Sequence, residues 1–213
     1  MQLKSLEISL YNHLTHFLSK RSFALLADYK QFRKETSTGF QNVIISSSRY
    51  AEELWIEVNL GVRVDMIEDL AQQFLDIPTE YRQHANTLIT SFGRLSDTKY
   101  LRYKIVNQED VEICFEAIKD FMNDRGFEFL EYASHIKNLD FIFNEKPHKP
   151  SKYLYNQTHR CFKGVIIAKI TDNPEFLKLL DQYQSVLERM QTSDREMENY
   201  MRLVNFLLYL SLN

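Results

Sequence analysis

An alternation of apolar and other side chains from Leu54 to Val64 constrains the fold more than any other feature of this sequence. Every second residue of the segment is apolar, namely Leu54, Ile56, Val58, Leu60, Val62 and Val64. Because successive side chains of a strand point to opposite faces, the pattern predicts a β-strand with one face on a core. The same register predicts an outward-facing set, which consists of Trp55, Glu57, Asn59 and Arg63.

Strand-forming segments on both sides of this strand predict an antiparallel sheet of about five strands. They cover residues 23–33, 40–47, 87–94 and 100–106. Turn-forming residues at 37–39 and 49–53 leave only short connections, and short connections favour a meander. We expect the last two segments to pair with each other as a hairpin across residues 95–99.

The remaining apolar residues of the first half recur at steps of three and four, which is typical of helices. One stripe predicts an N-terminal helix that ends near Ser19. The spacing of Asp65 and Glu68 predicts a capping box, in which two side chains bond the free backbone N–H groups at the start of a helix. This second helix is inserted into the sheet region and is expected to end at Pro78.

Helical spacing continues from Asn107 to the end of the chain. Gly126 is predicted to stop one helix, because glycine adopts the left-handed conformation found at helix ends. Ser193 and Glu196 have the spacing of a second capping box, at the start of the final helix. The segment 146–152 contains two prolines and is predicted to be a loop.

Together these segments predict an α+β protein with an N-terminal helix, an antiparallel meander sheet with an inserted helix, and a helical C-terminal half. We divide the chain into residues 1–106 and 107–213 and expect both parts to pack as one structural domain. The layout resembles that of small α+β proteins common in bacteria. The resemblance includes no specific motif and therefore implies no residue roles.

The composition is that of a soluble globular protein, with 44% hydrophobic and 26% charged residues. A formal net charge of -3 gives no overall attraction for phosphate backbones, which argues against nucleic acid as a partner. The apolar runs are too short to span a bilayer, and the N-terminus lacks the apolar core of a signal peptide. We expect a cytoplasmic protein without a membrane partner.

The spacing of a few residue types excludes several chemistries. The five glycines lie at least 22 positions apart, so no glycine-rich phosphate-binding loop can be written, and no cofactor is expected. Cys114 and Cys161 form no C-x-x-C pair and are interpreted as buried apolar residues. The motifs of serine hydrolases, zinc proteases and calcium loops are also missing from the sequence.

Three groups of residues remain as candidate sites of lesser weight. His13 and His16 are spaced for a metal on one helix face, but we interpret them as surface residues. The basic stretch from Lys146 to Lys169 includes aromatic residues, a combination found in phosphate-binding sites; a solvated loop and helix face explains it equally well. The acidic residues near the starts of the predicted helices are interpreted as partners of the helix dipole.

The set of Trp55, Glu57, Asn59 and Arg63 is the candidate partner-binding surface, because tryptophan stacks on partners and its polar neighbours fix orientation. The alternative is that later helices cover this face and that Trp55 packs as core. Our first hypothesis is a binding or interaction module that recognises another protein through an open sheet face. The second hypothesis is a hydrolase or transferase whose active site is scattered along the sequence. Periodicity alone decides neither the partner nor the oligomeric state.

Overall fold

The computed structural model describes residues 2–98 and 100–211. These residues form an antiparallel sheet of six strands, β1 (Ala24–Leu26), β2 (Gln31–Thr36), β3 (Gly39–Tyr50), β4 (Glu53–Val64), β5 (Leu88–Ser91) and β6 (Tyr103–Ile105). Strands β1 to β5 follow one another in meander order, and β6 also pairs with β4. The sheet and the helical regions around it confirm the predicted α+β class.

Strand β4 buries the apolar residues of the alternating pattern, but exposure alternates only from Glu53 to Val58, and every residue from Asn59 to Val64 is buried. Its six alternating apolar side chains are all buried, with Val64 the most exposed of them at 5%. The neighbouring strand β6 fixes the register at the start of β4, where Leu54 lies opposite Ile105 and Ile56 lies opposite Tyr103. The predicted inward face is therefore the real one.

The predicted strand over residues 23–33 is interrupted by a single turn. Residues Ala27–Tyr29 form a short 3-10 helix, and Lys30 ends it in the left-handed conformation with a φ of 51°. The backbone then reverses, so that β2 returns alongside β1 with Gln31 opposite Leu26. A non-glycine residue in this conformation costs about 1–2 kcal/mol and needs compensation from other contacts.

The expected hairpin between the last two strand segments is wrong. Strands β5 and β6 each pair with β4. The chain leaves β5 at Ser91, whose side chain accepts a hydrogen bond from the N–H of Arg94 and opens a short helix. Three residues that were predicted as strand, Phe92, Gly93 and Arg94, are therefore helical, and residues 95–98 do not form a hairpin loop. Lys99 lies outside the described residues.

The helices of the described residues are α1 (Gln2–Ser19), α2 (Asp65–Ala71), α3 (Thr79–Arg82), α4 (Phe92–Leu95), α5 (Gln108–Phe121), α6 (Phe127–Ser134), α7 (Ile136–Asn144), α8 (Gln157–Ile170), α9 (Phe176–Arg189) and α10 (Asp194–Tyr209). The N-terminal helix and the helical C-terminal half are both confirmed. None of the described helices has the length and apolar character needed to cross a membrane.

The two predicted capping boxes have different outcomes. Ser193 and Glu196 form the reciprocal box at the start of α10. At the start of α2 the N-cap is Val64, whose side chain cannot cap the helix and whose N–H donates to Oγ1 of Thr87 at 3.0 Å. Asp65 instead accepts a hydrogen bond from a neighbouring arginine, and Glu68 is fully buried beside Lys163. The interactions with Arg63 and Lys163 therefore replace the capping hydrogen bonds that the spacing predicted.

Gly126 does not stop a helix. Residues Met122–Gly126 form a π-helical turn that joins α5 to α6 without a break in the helical path. A side-chain carbon at Gly126 would lie 2.6 Å from Sδ of Met122, so the residue is small because the turn packs tightly. Asn107 and Asp110 form a capping box at the start of α5, which the sequence analysis did not predict.

The structure divides into two compact units, each made of two separate parts of the chain. The first unit consists of Met1–Val62 and Ile89–Tyr132, and the second consists of Arg63–Leu88 and Ala133–Asn213. In the first unit, the buried residues include Leu6, Leu10, Leu14 and Leu18 of α1, Phe32 of β2 and the apolar residues of β4 from Leu54 to Val62. In the second unit, α8 is buried along most of its length and lies beside α2, α7, α9 and α10.

Candidate functional site

Trp55 and Glu57 lie in the first unit, where both are partly buried and already have polar partners. Trp55 is opposite Lys104 of β6, and its indole N–H donates to Oε2 of Glu53 at 3.0 Å. Glu53 also forms an ion pair with Lys104. Glu57 accepts a hydrogen bond from Nε of Arg102 at 3.2 Å. These side chains form a row of paired charges beside the β4–β6 ladder.

Asn59 and Arg63, which were predicted on the same outward face, are buried, each with 7% of its surface exposed. Asn59 donates to Oγ of Ser46 at 3.4 Å. Arg63 belongs to the second unit, where it donates to the carboxylates of Asp65 and Asp69 and to the carbonyls of Arg82 and Ala85. Both residues hold the fold together, so the four predicted residues do not share one open surface.

A different cluster in the first unit is centred on the carboxylate of Glu7, on α1. Its side chain is only 9% exposed. It accepts hydrogen bonds from Nζ of Lys30 at 3.1 Å, Oγ of Ser47 at 2.7 Å and Nη2 of Arg49 at 2.5 Å. Nζ of Lys30 also donates to Oγ of Ser47 at 2.8 Å. Four side chains from three segments of the chain therefore meet at one carboxylate.

The pKa of Glu7 reflects these contacts. Burial by itself would raise the pKa of the carboxyl, because it disfavours the charged form. The hydrogen bonds from Ser47, Arg49 and Lys30, together with the charge of Lys30, outweigh burial and hold the pKa below its ordinary value of 4.5. Glu7 is therefore ionised at neutral pH.

The local structure explains why these residues converge. Glu7 directly follows Leu6, so the buried stripe of α1 brings the carboxylate to the edge of the core. Ser47 and Arg49 are two positions apart on β3 and therefore point to the same face of the sheet. The left-handed conformation of Lys30 belongs to the turn between β1 and β2, and the bonds of its ammonium group offset the backbone cost.

Tyr11 lies one helical turn after Glu7 and contributes an unusual hydroxyl group. Its ring stacks on Phe32 with the centroids 6.0 Å apart. The hydroxyl oxygen is buried and has no hydrogen-bond partner among the described residues. Burial, and then the charge of Glu7, raises the pKa of the phenol, so the group is neutral. The hydroxyl is therefore a neutral polar group that is buried without a hydrogen-bond partner among the described residues.

A cavity of about 500 Å³ opens beside Glu7 and Tyr11. Three cations contribute to its wall, Lys4, Lys30 and Arg49, against the single carboxylate of Glu7. Ile8 and Leu25 supply apolar surface, and Ile8 is 52% exposed. Since the charges do not cancel, the cavity is electropositive and suits an anionic group next to an apolar one.

A second cavity of about 640 Å³ shares Lys4 and Arg49 with the first. Its wall continues along the turn between β3 and β4, with Ala51, Glu52 and Glu53, and reaches Val106. Glu53 is the carboxylate that holds the indole of Trp55. We call the two adjoining cavities the α1 groove. The predicted residue Trp55 is therefore hydrogen-bonded to Glu53 in the wall of this groove.

Glu7, Tyr11, Lys30 and Arg49 were not among the site residues predicted from the sequence. The partners of Glu7 lie 23, 40 and 42 positions away in the chain, and no periodicity connects them. One signal was present, since a glutamate and a tyrosine four positions apart border the apolar stripe of α1. That pattern is common on solvent-exposed helix faces and does not by itself indicate a site.

In the second unit, Glu68 and Lys163 form a buried ion pair between α2 and α8. Oε1 of Glu68 lies 2.7 Å from Nζ of Lys163, which also donates to the carbonyl of Asn86 at 2.8 Å. Glu68 is 0% exposed, so a substrate in solvent does not reach its carboxylate. Burial, and then the charge of Lys163, lowers the pKa of the nearby His159. This arrangement fits a structural role.

His13, Cys114 and Cys161, which were singled out in the sequence, take part in an ion pair or are buried in the fold. Nε2 of His13 lies 3.0 Å from Oε1 of Glu112, and its ring packs against Phe115. No group of three or more metal-ligating side chains is found within residues 2–98 and 100–211. Cys114 and Cys161 are buried, and burial raises the pKa of each thiol to about 12, so neither is a thiolate at neutral pH.

Comparison with protein-family models, with curated proteins and with solved structures finds no match to this chain.

Proposed function

We propose that the protein is an interaction module and that its α1 groove binds a segment of another protein that carries a carboxylate next to apolar side chains. The observation that carries the proposal is the surplus of cations in the first cavity, where Lys4, Lys30 and Arg49 accompany the single carboxylate of Glu7, whereas Glu52 and Glu53 belong to the wall of the second cavity. A carboxylate set between Lys4 and Arg49 would complement this charge. The apolar side chains would cover Ile8 and Leu25.

The shape of the groove favours a chain segment over a compact molecule. Two cavities of about 500 Å³ and 640 Å³ meet at Lys4 and Arg49, so the available space is elongated. An extended peptide places successive side chains in successive pockets. Trp55 and Glu57 remain part of the proposed surface, Trp55 through its bond to Glu53 in the wall of the second cavity.

The chemistry of Glu7 supports binding over catalysis. A general base works best when its pKa is near the working pH, whereas the donors around Glu7 lower its pKa. The three donors also hold the carboxylate in one position. A charge that is fixed and already compensated orients the neighbouring cations towards a ligand, as a preorganised binding site requires.

One contact favours an enzyme as the second candidate function. Oγ of Ser47 lies within hydrogen-bond distance of both Glu7 and Lys30, as a serine nucleophile next to a base would. Against this, the ammonium group of Lys30 already donates to Glu7 and so does not act as a free base. Labelling with a fluorophosphonate probe that Ser47→Ala abolishes would support this second function and contradict the first.

The proposal is tested by selecting binders from a displayed library of random dodecapeptides. We expect the selected peptides to be enriched in Asp or Glu beside apolar residues. Affinity for a selected peptide, measured by fluorescence anisotropy, should fall about tenfold or more in Lys4→Ala and in Arg49→Ala, as for loss of a hydrogen-bonded charge. Lys20→Ala is the matched control, because Lys20 lies just beyond α1 and is exposed.

Two results would contradict the proposal. In the first, the library yields no enriched peptides or peptides without acidic residues. In the second, Lys20→Ala weakens binding as much as Arg49→Ala does, which would mean that general charge attraction and not the α1 groove holds the peptide.

A further inference from the structure

The second unit contains an electropositive cavity that the proposed function does not use. It measures about 360 Å³ and lies where the loop 145–156 passes beside the end of α7. Lys146, Lys149, Lys152 and Arg160 contribute to its wall, and Glu145 is the one acidic residue among the wall residues described. We call this cavity the basic pocket.

Arg160 is the cation that makes this pocket more than a group of surface lysines. Only 3% of the residue is exposed. Its guanidinium donates to the carbonyl oxygens of Phe143, Lys146 and Lys149 and to the amide oxygen of Gln157. All of these acceptors are neutral. Within the described part of the chain, no carboxylate lies within 4.0 Å of this guanidinium.

A buried cation without a counter-ion leaves an uncompensated positive field in its surroundings, because the protein interior screens charge less than water does. The basic pocket directs this field to solvent, since Arg160 is part of its wall. An anion bound there would supply the missing counter-charge. The energetics of the buried guanidinium therefore point to a ligand that is negatively charged.

The same contacts hold the loop in place. The carbonyls of Lys146 and Lys149 both accept hydrogen bonds from Arg160, so the backbone that carries these two lysines is fixed at two points. Lys146 is partly offset by an exposed ion pair with Glu145 at 3.4 Å. Lys149 has no such ion pair with a described residue. The net charge of these wall residues, four cations and one carboxylate, is +3.

Aromatic surface borders the cations. Phe141 of α7 is part of the pocket wall and is 55% exposed, which is unusual for a phenylalanine. Tyr153 is also in the wall, and the ammonium of Lys152 lies 5.2 Å from the centre of its ring. An exposed aromatic face beside a positive pocket suits a ligand with a flat ring as well as an anionic group.

We propose that the basic pocket binds a small phosphate ester that carries a flat ring, the chemistry of a nucleoside monophosphate. A phosphate monoester has a charge of about -1.5 to -2 at neutral pH and three acceptor oxygens, which match several lysines better than a single carboxylate does. The phosphate lies among Lys146, Lys149 and Lys152, and the ring stacks on Phe141. The volume of about 360 Å³ is within the range of small-molecule pockets and is too small for a folded partner.

The test is isothermal titration calorimetry of the full chain with adenosine 5′-monophosphate, adenosine and inorganic phosphate at low ionic strength. We expect the monophosphate to bind at least tenfold more tightly than either of its parts, because both the ring and the phosphate contribute. Lys149→Ala should weaken its binding about tenfold, the usual effect of removing a charge-assisted hydrogen bond. Phe141→Ala should weaken the monophosphate and leave inorganic phosphate unchanged.

Lys137→Ala is the matched control, since Lys137 is an exposed lysine on α7, the same helix as Phe141. It should change no affinity. Three outcomes would overturn the proposal: no binding of the monophosphate, equal binding of inorganic phosphate, or binding of a single-stranded oligonucleotide at least tenfold tighter than the monophosphate. The last result would indicate a nucleic-acid surface. None of these outcomes bears on the α1 groove, because Lys4 and Arg49 lie in the first unit.

Discussion

Glu7 shows how one acidic residue at the border of a buried helix stripe can organise distant parts of a chain. Its carboxylate joins α1 to the turn before β2 and to the end of β3 through Lys30, Ser47 and Arg49. A buried carboxylate is costly unless it is paired and hydrogen-bonded. Here the donors more than compensate, as the lowered pKa shows. The cluster therefore links stability to pH.

The first prediction concerns this linkage. The folded state holds the pKa of Glu7 below 4.5, so its contribution to stability is present above pH 4.5 and is lost as the pH falls through the lower folded pKa. Glu7→Gln should lower the free energy of unfolding by about 2 kcal/mol at pH 7, by loss of charge-assisted hydrogen bonds. The difference from the wild type should shrink at pH 3.

Urea denaturation at both pH values measures this difference. Glu116→Gln is the control, because Glu116 is exposed and forms only an i,i+3 pair with Lys119. Such pairs contribute less than about 1 kcal/mol. A Glu7→Gln effect that is the same at pH 3 and pH 7 would show that the residue acts through packing and not through its charge.

The second prediction concerns Tyr11. Its buried hydroxyl has no partner among the described residues, so Tyr11→Phe removes a group that is unfavourably buried. We expect the free energy of unfolding to stay constant or to rise by up to about 1 kcal/mol, as for removal of an unsatisfied polar group. Affinity for a peptide selected by the α1 groove should change little, because the hydroxyl is not exposed. Urea unfolding and fluorescence anisotropy on the same protein samples measure the two quantities; a large loss of stability would contradict this description of Tyr11.

At the scale of elements, the spacing of apolar residues correctly predicted the strands and helices whose buried positions repeat along the chain. The apolar residues of the strand from Leu54 to Val64 are all buried, and the helices after Asn107, except for α8, each bury one face, so the pattern is readable in the sequence. The box of Ser193 and Glu196 was readable for the same reason, since the interaction is local. Asp65 and Glu68 have the same spacing, but Asp65 pairs with the neighbouring Arg63 and Glu68 pairs with the distant Lys163.

Long-range pairing explains the other differences between prediction and structure. Strands β5 and β6 have strand-forming residues, but their partner is β4, more than 20 positions earlier in the chain. The candidate site depends on such pairing even more, because Glu7 and its donors are brought together only by the fold. Of the residues proposed from the sequence, Trp55 contacts a wall residue of the α1 groove, and Glu57 belongs to the row of paired charges beside the β4–β6 ladder. Asn59 and Arg63 are buried.

The third prediction tests how closely helices of the second unit approach. A side-chain carbon at Gly164 of α8 would lie 2.8 Å from Oδ1 of Asn144 and 2.8 Å from the ring of Tyr183. These two residues are hydrogen-bonded to each other at 2.8 Å. Helix propensity favours Ala over Gly by about 1 kcal/mol. Overpacking costs about 1–3 kcal/mol and breaks a buried hydrogen bond as well, so packing should win.

Gly164→Ala should therefore lower the free energy of unfolding by about 1–3 kcal/mol, which is the overpacking cost plus about 1 kcal/mol for the hydrogen bond, minus the gain in helix propensity. Urea denaturation measures it. Tyr183→Phe removes one of the crowding atoms together with its two buried hydrogen bonds, so Gly164→Ala should cost less in the Tyr183→Phe background than in the wild type. An increase in stability on Gly164→Ala alone would mean that α8 has more room than the distances indicate.

At the scale of the whole molecule, the chain is divided between its two units in an interleaved way. The first unit takes residues on both sides of Arg63–Leu88, and this segment belongs to the second unit. Strand β4 and strand β5 each run across a boundary between the units, at residues 62–63 and 88–89. A cut at residue 106, where the sequence changes from sheet to helix, therefore does not separate the two units.

The last prediction follows from this division. A fragment of residues 1–106 would contain Arg63–Leu88 without α8, so the fully buried carboxylate of Glu68 would lose Lys163. Breaking a buried ion pair costs about 3–5 kcal/mol, which is a large share of the stability of a typical domain. The fragment would also lack α5, which lies beside α1 in the first unit. We therefore expect fragments 1–106 and 107–213 each to unfold without a sharp thermal transition when expressed alone, and the intact chain to show one, as followed by circular dichroism. A sharp transition in fragment 1–106 would contradict this prediction. It would show that the sheet and α1 fold without residues 107–213, and that contacts with those residues contribute little to stability.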